Sequence, residues 1–277
     1  MENTIMHTVE APTPVTTDSW LDSPRGRVFV RRWHPPGKDA TTPGPRSPIV
    51  LFHDSLGCVE LWRDFPAMLC SATGREVIAY DRLGFGRSDA LSSPPALDFI
   101  ADEARRVFPL IRQQLGLQRF VVLGHSVGGG MAVNCAAAFA ADCDALITIA
   151  AQTFPEDKTL HGIRVAKAQL EDKKQIERLQ KYHGDKAGWV LDAWTETWLH
   201  PEFASWSLDA TLPQVSCPTL AIHGLHDEYG SLIHPETIGR LGRGKSRVEI
   251  VQDAAHMPHR EQPEAIAGLI AEFLREH

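Results

Sequence analysis

Short apolar runs recur along this chain and are separated by stretches with helical spacing, and that rhythm restricts the fold more than any other feature. Ile49–His53 (IVLFH), Glu76–Tyr80 (EVIAY), Phe120–Gly124 (FVVLG), Ala145–Ala151 (ALITIAA), Pro218–Gly224 (PTLAIHG) and Arg247–Val251 (RVEIV) are such runs. Unbroken apolar character is what a strand buried on both faces shows. Between them, Cys58–Ala72 reads as a helix with Leu61, Phe65 and Leu69 on one face. Phe99–Leu115 is a helix that Pro109 interrupts, Val127–Ala141 is an alanine-rich helix, and Pro263–Arg275 closes the chain as an amphipathic one. Strands joined through helices require crossover connections, hence an α/β fold with a mostly parallel sheet covered by helices. Arg27–Trp33 (RVFVRRW) is an earlier strand, and the prolines of His34–Pro48 make that stretch a long exposed loop.

The rhythm stops between Gln152 and Leu212, where only helical stretches appear: Gly162–Glu171, Lys173–Tyr182 and Lys186–His200. Trp189, Trp194, Trp198 and Trp206 all fall in this block. For most of them the expected role is to glue these helices to the body of the protein. The alternative is a lid with an apolar inner wall, and Trp194 and Trp198 are one helical turn apart and share a face. The expected organisation is a loose lead-in over residues 1–18, core segments at 19–151 and 213–277, and a helical lid at 152–212.

With 28 Lys and Arg against 35 Asp and Glu, the net charge of −7 argues against a general affinity for nucleic acid. Cys58, Cys70, Cys135, Cys143 and Cys217 are widely spaced and odd in number, which reads as reduced thiols. The N-terminal MENTIMHTVEAPTP has no basic stretch followed by an apolar core, and no apolar run reaches membrane-spanning length. The expectation is a soluble, cytoplasmic protein that acts on a small molecule, with no membrane or nucleic-acid partner.

Gly124-His125-Ser126-Val127-Gly128 fits G-x-S-x-G. The pattern alone is weak, since roughly 0.1 matches arise by chance in a chain this long. Its setting is stronger: it follows FVVL and opens VGGGMAVNCAAAFAA, the strand, turn and helix that a nucleophile elbow needs. The elbow itself, GHSVGGG, carries no Gly-Lys-Ser or Gly-Lys-Thr, so it is not read as a phosphate-binding P-loop.

A serine hydroxyl needs a base to take its proton, and the base needs a carboxylate to orient it. In the order Ser, acid, His, Asp227 is the candidate acid because it follows the strand PTLAIHG, where loops at the carboxyl edge of a parallel sheet converge. Its neighbour Glu228 is the main rival, while Asp209 and Asp253 read as solvated surface. His256, just after RVEIV, is the candidate base. His259 competes less well because Pro258 marks the start of the last helix, and His223 and His226 flank a turn. No histidine pair forms an H-E-x-x-H helix, so neither a metal nor a cofactor is implied. The negative oxygen formed by attack needs backbone donors, assigned to the N–H groups of Val127 and Ser55.

With these pieces together the chain resembles the α/β-hydrolase superfamily from about Arg27 onward, and Tyr80–Asp89 (YDRLGFGRSD) is similar to that family's loop after the next strand. The resemblance implies an eight-stranded, mostly parallel sheet with a helical lid after the sixth strand. It also implies a serine hydrolase. Dehalogenases and epoxide hydrolases of the superfamily carry Asp at the elbow, which Ser126 argues against. Many carbon-carbon hydrolases have Trp after the catalytic His, where this chain has Met257. Esterases, lactonases and cofactor-free perhydrolases are more similar to HMPHREQPE, so a carboxylic ester or lactone is the expected substrate. Carbon-carbon cleavage of a ring-fission product, with Arg164 and Lys167 gripping its carboxylate, is the alternative, and a non-catalytic receptor the third. His53-Asp54 departs from the family's usual His-Gly. An acidic group here disfavours the oxyanion unless it points away or is protonated.

Overall fold

The computed structural model describes residues 13–36, 46–170 and 172–277. Residues 1–12 of the expected lead-in, 37–45 of the expected loop and Glu171 lie outside them. The strands are β1 (Val15–Ser23), β2 (Gly26–His34), β3 (Ile49–Phe52), β4 (Val77–Tyr80), β5 (Phe120–His125), β6 (Cys143–Ile149), β7 (Thr219–Gly224) and β8 (Ser246–Val251). They form one sheet in the order β1-β2-β4-β3-β5-β6-β7-β8. Every pairing from β4 to β8 is parallel, and β2 is the reversed strand, antiparallel to both of its neighbours.

Alternate side chains of the inner strands enter two apolar layers. Val50, Phe52, Ile78, Tyr80, Phe120 and Val122 face one side, and Ile49, Leu51, Val77, Ala79, Val121 and Leu123 face the other. Each large side chain so buried contributes about 2 kcal/mol. Helix α1 (Phe65–Thr73) follows β3, and α2 (Phe99–Asp102) and α3 (Phe108–Leu115) follow β4. Helix α4 (Val127–Ala138) follows β5. The insertion between β6 and β7 carries α5 (Asp157–Leu170), α6 (Lys173–His183) and α7 (Ala187–Trp198). Helix α8 (Ile233–Leu241) joins β7 to β8, and α9 (Pro258–Glu261) and α10 (Pro263–Glu276) end the chain.

Three differences from the sequence expectations have local causes. The stretch expected to be loose up to residue 18 is already strand from Val15, because β1 is an edge strand that pairs along its whole length with β2 while fully burying only Leu21. The helix expected over Phe99–Leu115 breaks into α2 and α3 through a wider π turn at Glu103–Val107. Pro109 has no N–H for the carbonyl four residues earlier, and the ladder resets with the Phe108 N–H on the Glu103 carbonyl. The helix expected over Cys58–Ala72 is a 3-10 turn at Val59–Trp62 followed by α1, separated by Arg63 at φ 53°.

Candidate active site

Ser126 stands between β5 and α4 with φ 54° and ψ −125°, a backbone state that costs a non-glycine residue energy. The turn tolerates it because its glycines allow close packing. A Cβ on Gly124 would lie 2.0 Å from the Gly128 carbonyl oxygen, and one on Gly128 would lie 2.1 Å from that of Phe52. The Ser126 N–H bonds the Ile149 carbonyl at 2.9 Å, which holds the elbow against the end of β6. Its hydroxyl donates over 3.5 Å to Gln152 Oε1, at the start of the insertion. Among the described residues no hydrogen bond runs from this hydroxyl to His256, and the serine–histidine contact would have to form in a substrate complex.

Asp227 and His256 are brought together at the ends of β7 and β8. His256 Nδ1 lies 2.9 and 2.8 Å from the two carboxylate oxygens of Asp227. Gly224 permits the approach: a Cβ there would be 2.0 Å from the Ala255 carbonyl oxygen. Asp227 is 1 % exposed and also accepts the N–H groups of Tyr229 at 2.7 Å and Gly230 at 3.1 Å. Burial alone would raise its carboxyl, yet the bond and charge of His256, then His223, outweigh it and hold the group below its ordinary value. Burial likewise works to lower the His256 imidazole, and the Asp227 carboxylate reverses the direction to a net rise. Ser126 and His256 line one cavity of about 100 Å³.

The rivals fall elsewhere. Glu228, Asp209 and Asp253 are exposed. His259 is buried in α9 against Trp62, Phe65 and His125, and burial pushes its imidazole well down. His226 is exposed, whereas His223 is buried with Nε2 3.3 Å from Asp227 Oδ2. Sequence reasoning placed His223 beside a turn, but it caps the far side of the acid. Its spacing of four residues from Asp227 across a strand end was the available signal. Gln152, Thr159, Ile163 and Tyr229 also reach the cavity and were not anticipated.

The two proposed oxyanion donors occupy suitable ends of the chain. Val127 is the first residue of α4, whose N–H has no partner within the helix. In the turn after β3, the Leu56 N–H bonds Asp54 Oδ1 at 2.9 Å and the Gly57 N–H bonds the Asp54 carbonyl at 3.2 Å, leaving Ser55 N–H without a partner among the described residues. Asp54, in the same turn, faces His125. Burial would raise its carboxyl, but His125, with Nδ1 3.4 Å from Oδ2, brings it far below the usual range. The same His125 ring bonds the His256 carbonyl through Nε2 at 2.9 Å.

The four tryptophans divide. Trp194 and Trp198 line the cavity, whereas Trp189 packs on Phe85 and Trp206 stacks on Phe203. Arg164 and Lys167 are not on the cavity lining, and Lys167 pairs with Glu196. The insertion is fastened to the core by His183, which accepts the Gly86 N–H at 2.9 Å and bonds the Leu56 carbonyl at 3.0 Å, and by Lys186 on the Gly86 carbonyl at 2.7 Å. Thus Tyr80–Asp89 shapes the loop that the insertion rests on. In it, the Asp81 carboxylate accepts the Val59 and Arg87 N–H groups, both at 2.6 Å.

A serine in a strained strand-to-helix turn, opposite a histidine held by a buried carboxylate on a mostly parallel sheet, defines a class. The chain belongs to the alpha/beta hydrolase fold family, whose model matches residues 47–195. It is similar to proline iminopeptidase from Heyndrickxia coagulans, at 25 % identity over 93 % of this chain and 98 % of that one. It is 35 % identical over 115 residues to human (Homo sapiens) 1-acylglycerol-3-phosphate O-acyltransferase ABHD5, a match that covers 40 % of this chain and only 31 % of that relative. Among solved structures, the enol-lactonase from Burkholderia xenovorans LB400 has the same fold, with a TM-score of 0.68 and 20 % identity over 93 % of this chain and 100 % of that one. No helix among the described residues is long and apolar enough to cross a membrane.

Proposed function

We propose that the protein is a serine hydrolase acting through an acyl-enzyme on a small carboxylic ester or lactone. The observation that carries this is the buried Asp227 carboxylate spanning His256 Nδ1 in the cavity that Ser126 lines. Ser126 Oγ attacks the carbonyl carbon, and His256 Nε2 takes the hydroxyl proton and passes it to the departing alcohol. Asp227 keeps the Nδ1 proton in place and stabilises the imidazolium. Ser55 and Val127 N–H groups receive the oxyanion. Water then attacks the acyl-enzyme with the same histidine as base.

The cavity limits the substrate to a compact acyl group, and Leu56, Ile163, Trp194, Trp198 and Met257 make its wall largely apolar. The helical insertion acts as the lid. An amide substrate is the second reading, favoured by the likeness to a proline iminopeptidase along nearly the whole chain. Carbon-carbon cleavage is disfavoured because Arg164 and Lys167 stand away from the cavity.

The direct test pairs a fluorophosphonate probe with aryl-ester turnover. Native protein should label and turn over, and Ser126→Ala should lose the label and at least about a thousandfold in kcat. Failure of the native protein to label, or substantial turnover by pure Ser126→Ala, would remove Ser126 from the mechanism and favour a receptor that only binds.

A further inference from the structure

We propose that the acyl part of the substrate carries a positive charge, held between the Asp54 carboxylate and the aromatic wall of Trp194, Trp198 and Tyr229. This rests on the serine-hydrolase reading and names the substrate class for it.

Asp54 is the one residue on the cavity lining with a permanent charge; the others are neutral side chains and the two histidines His125 and His256. Its side chain keeps 26 % of its surface accessible. A carboxylate offers about four acceptor positions, and here one goes to the Leu56 N–H at 2.9 Å and another to the long 3.4 Å contact with His125. Acceptor capacity is therefore left facing the cavity. Arg82 is a buried cation that touches this turn: its Nη2 donates to the Asp54 carbonyl at 2.8 Å while its Nε faces His53 Nε2 at 3.3 Å. It lines an adjoining space of about 30 Å³ that shares Ser55, Trp194 and Trp198 with the first, and its charge partly offsets that of Asp54 without Arg82 itself standing on the substrate lining.

The same lining carries an aromatic wall. Trp194 and Tyr229 meet edge to face with centroids 6.0 Å apart, and Trp198 joins them on the same lining. Faces of Trp and Tyr attract ammonium groups, more so where water is excluded. An anionic acyl group would meet Asp54 and no Lys or Arg on the lining.

Position makes the argument stronger. Asp54 directly precedes Ser55, the assigned oxyanion donor, so its negative charge works against the oxyanion of a neutral ester. A substrate bearing an ammonium one or two bonds from its carbonyl supplies the opposite charge at that place. The departure from glycine then lowers turnover of neutral and anionic esters and favours amino-acyl-type esters or amides.

The test compares p-nitrophenyl esters of trimethylglycine, of its neutral isostere 3,3-dimethylbutanoate, and of succinate, each normalised to its hydroxide-catalysed rate. Wild type should prefer them in that order. Asp54→Asn keeps a side-chain oxygen for the Leu56 N–H, and should cut the cation-to-neutral ratio of kcat/KM by about tenfold or more. Calorimetry with Ser126→Ala reads the same preference as binding, independently of turnover. No preference for the cationic ester in wild type, or a ratio unchanged by Asp54→Asn, overturns the inference. If none of the esters turns over, the hydrolase reading falls, and the calorimetric order still decides whether a cation is recognised.

Discussion

Replacing Asp227 by Asn separates orientation from packing at this site. The carboxylate is 1 % exposed and holds His256 Nδ1 through both oxygens, at 2.8 and 2.9 Å. Asn retains an oxygen for the Tyr229 and Gly230 N–H groups, so the loop has the acceptor it needs. It loses the anion, however, and when its amide nitrogen faces Nδ1 the imidazole must place its proton on Nε2, where the serine proton has to go. Loss of a charge-assisted hydrogen bond is worth about 2–3 kcal/mol, and the wrong tautomer adds a comparable amount. Together about 4–6 kcal/mol predicts a fall in kcat of roughly 10³–10⁴. The pH profile supplies a second reading. His256 must be neutral to act as base, and Asp227 raises its pKa above 6.5, so the rising limb of kcat/KM in wild type should lie above pH 6.5 and move to lower pH in Asp227→Asn. Aryl-ester turnover across pH 5 to 9, with circular dichroism to verify folding, measures both. Glu228→Gln, on an exposed neighbour, should change kcat less than about twofold. More than a tenth of wild-type turnover in folded Asp227→Asn, or a larger loss in Glu228→Gln, would refute the assignment.

Further outcomes concern stability. A Cβ on Gly128 meets the Phe52 carbonyl at 2.1 Å, whereas one on Gly268 in α10 meets nothing within 4 Å. In urea denaturation Gly128→Ala should lose at least about 3 kcal/mol, and Gly268→Ala should gain about 0.5–1 kcal/mol. Equal effects would mean that the elbow does not need its close packing. His259 is held neutral by burial, with a folded pKa well below 6.5, so the unfolded state binds the proton first and stability is lost as pH falls below 6.5. Between pH 7 and 5.5 this one group costs about 1.3 kcal/mol, and His259→Phe, in a site already walled by Trp62 and Phe65, should lose correspondingly less over that interval. Parallel curves for the two proteins would count against a buried neutral imidazole.

What could be read from the chain, and what could not, follows from how each feature is encoded. Strands β3, β4, β5 and β7 are buried at every position, so each carries an apolar run visible without context, even where β5 and β7 also bury His125, Thr219 and His223. Strand β1 hides because its Thr and Asp side chains face outward and its order comes from pairing with β2. Helix α8 was not anticipated, since Pro235 and Gly239 within Ile233–Leu241 mask its period. At the site, Ser126, Asp227 and His256 were legible because sheet topology delivers strand-end loops to one edge. Gln152, His223 and Tyr229 depend on how side chains turn once the loops are packed, and neither spacing nor composition carries that information.

The division of the cavity between two stretches of chain has a consequence for how such a protein changes over time. Ile163, Trp194 and Trp198 come from the insertion between β6 and β7, while the groups proposed to react all come from the sheet's own loops. Replacements in the one stretch can therefore retune which molecules are admitted while bond breaking, run by the other, carries on as before.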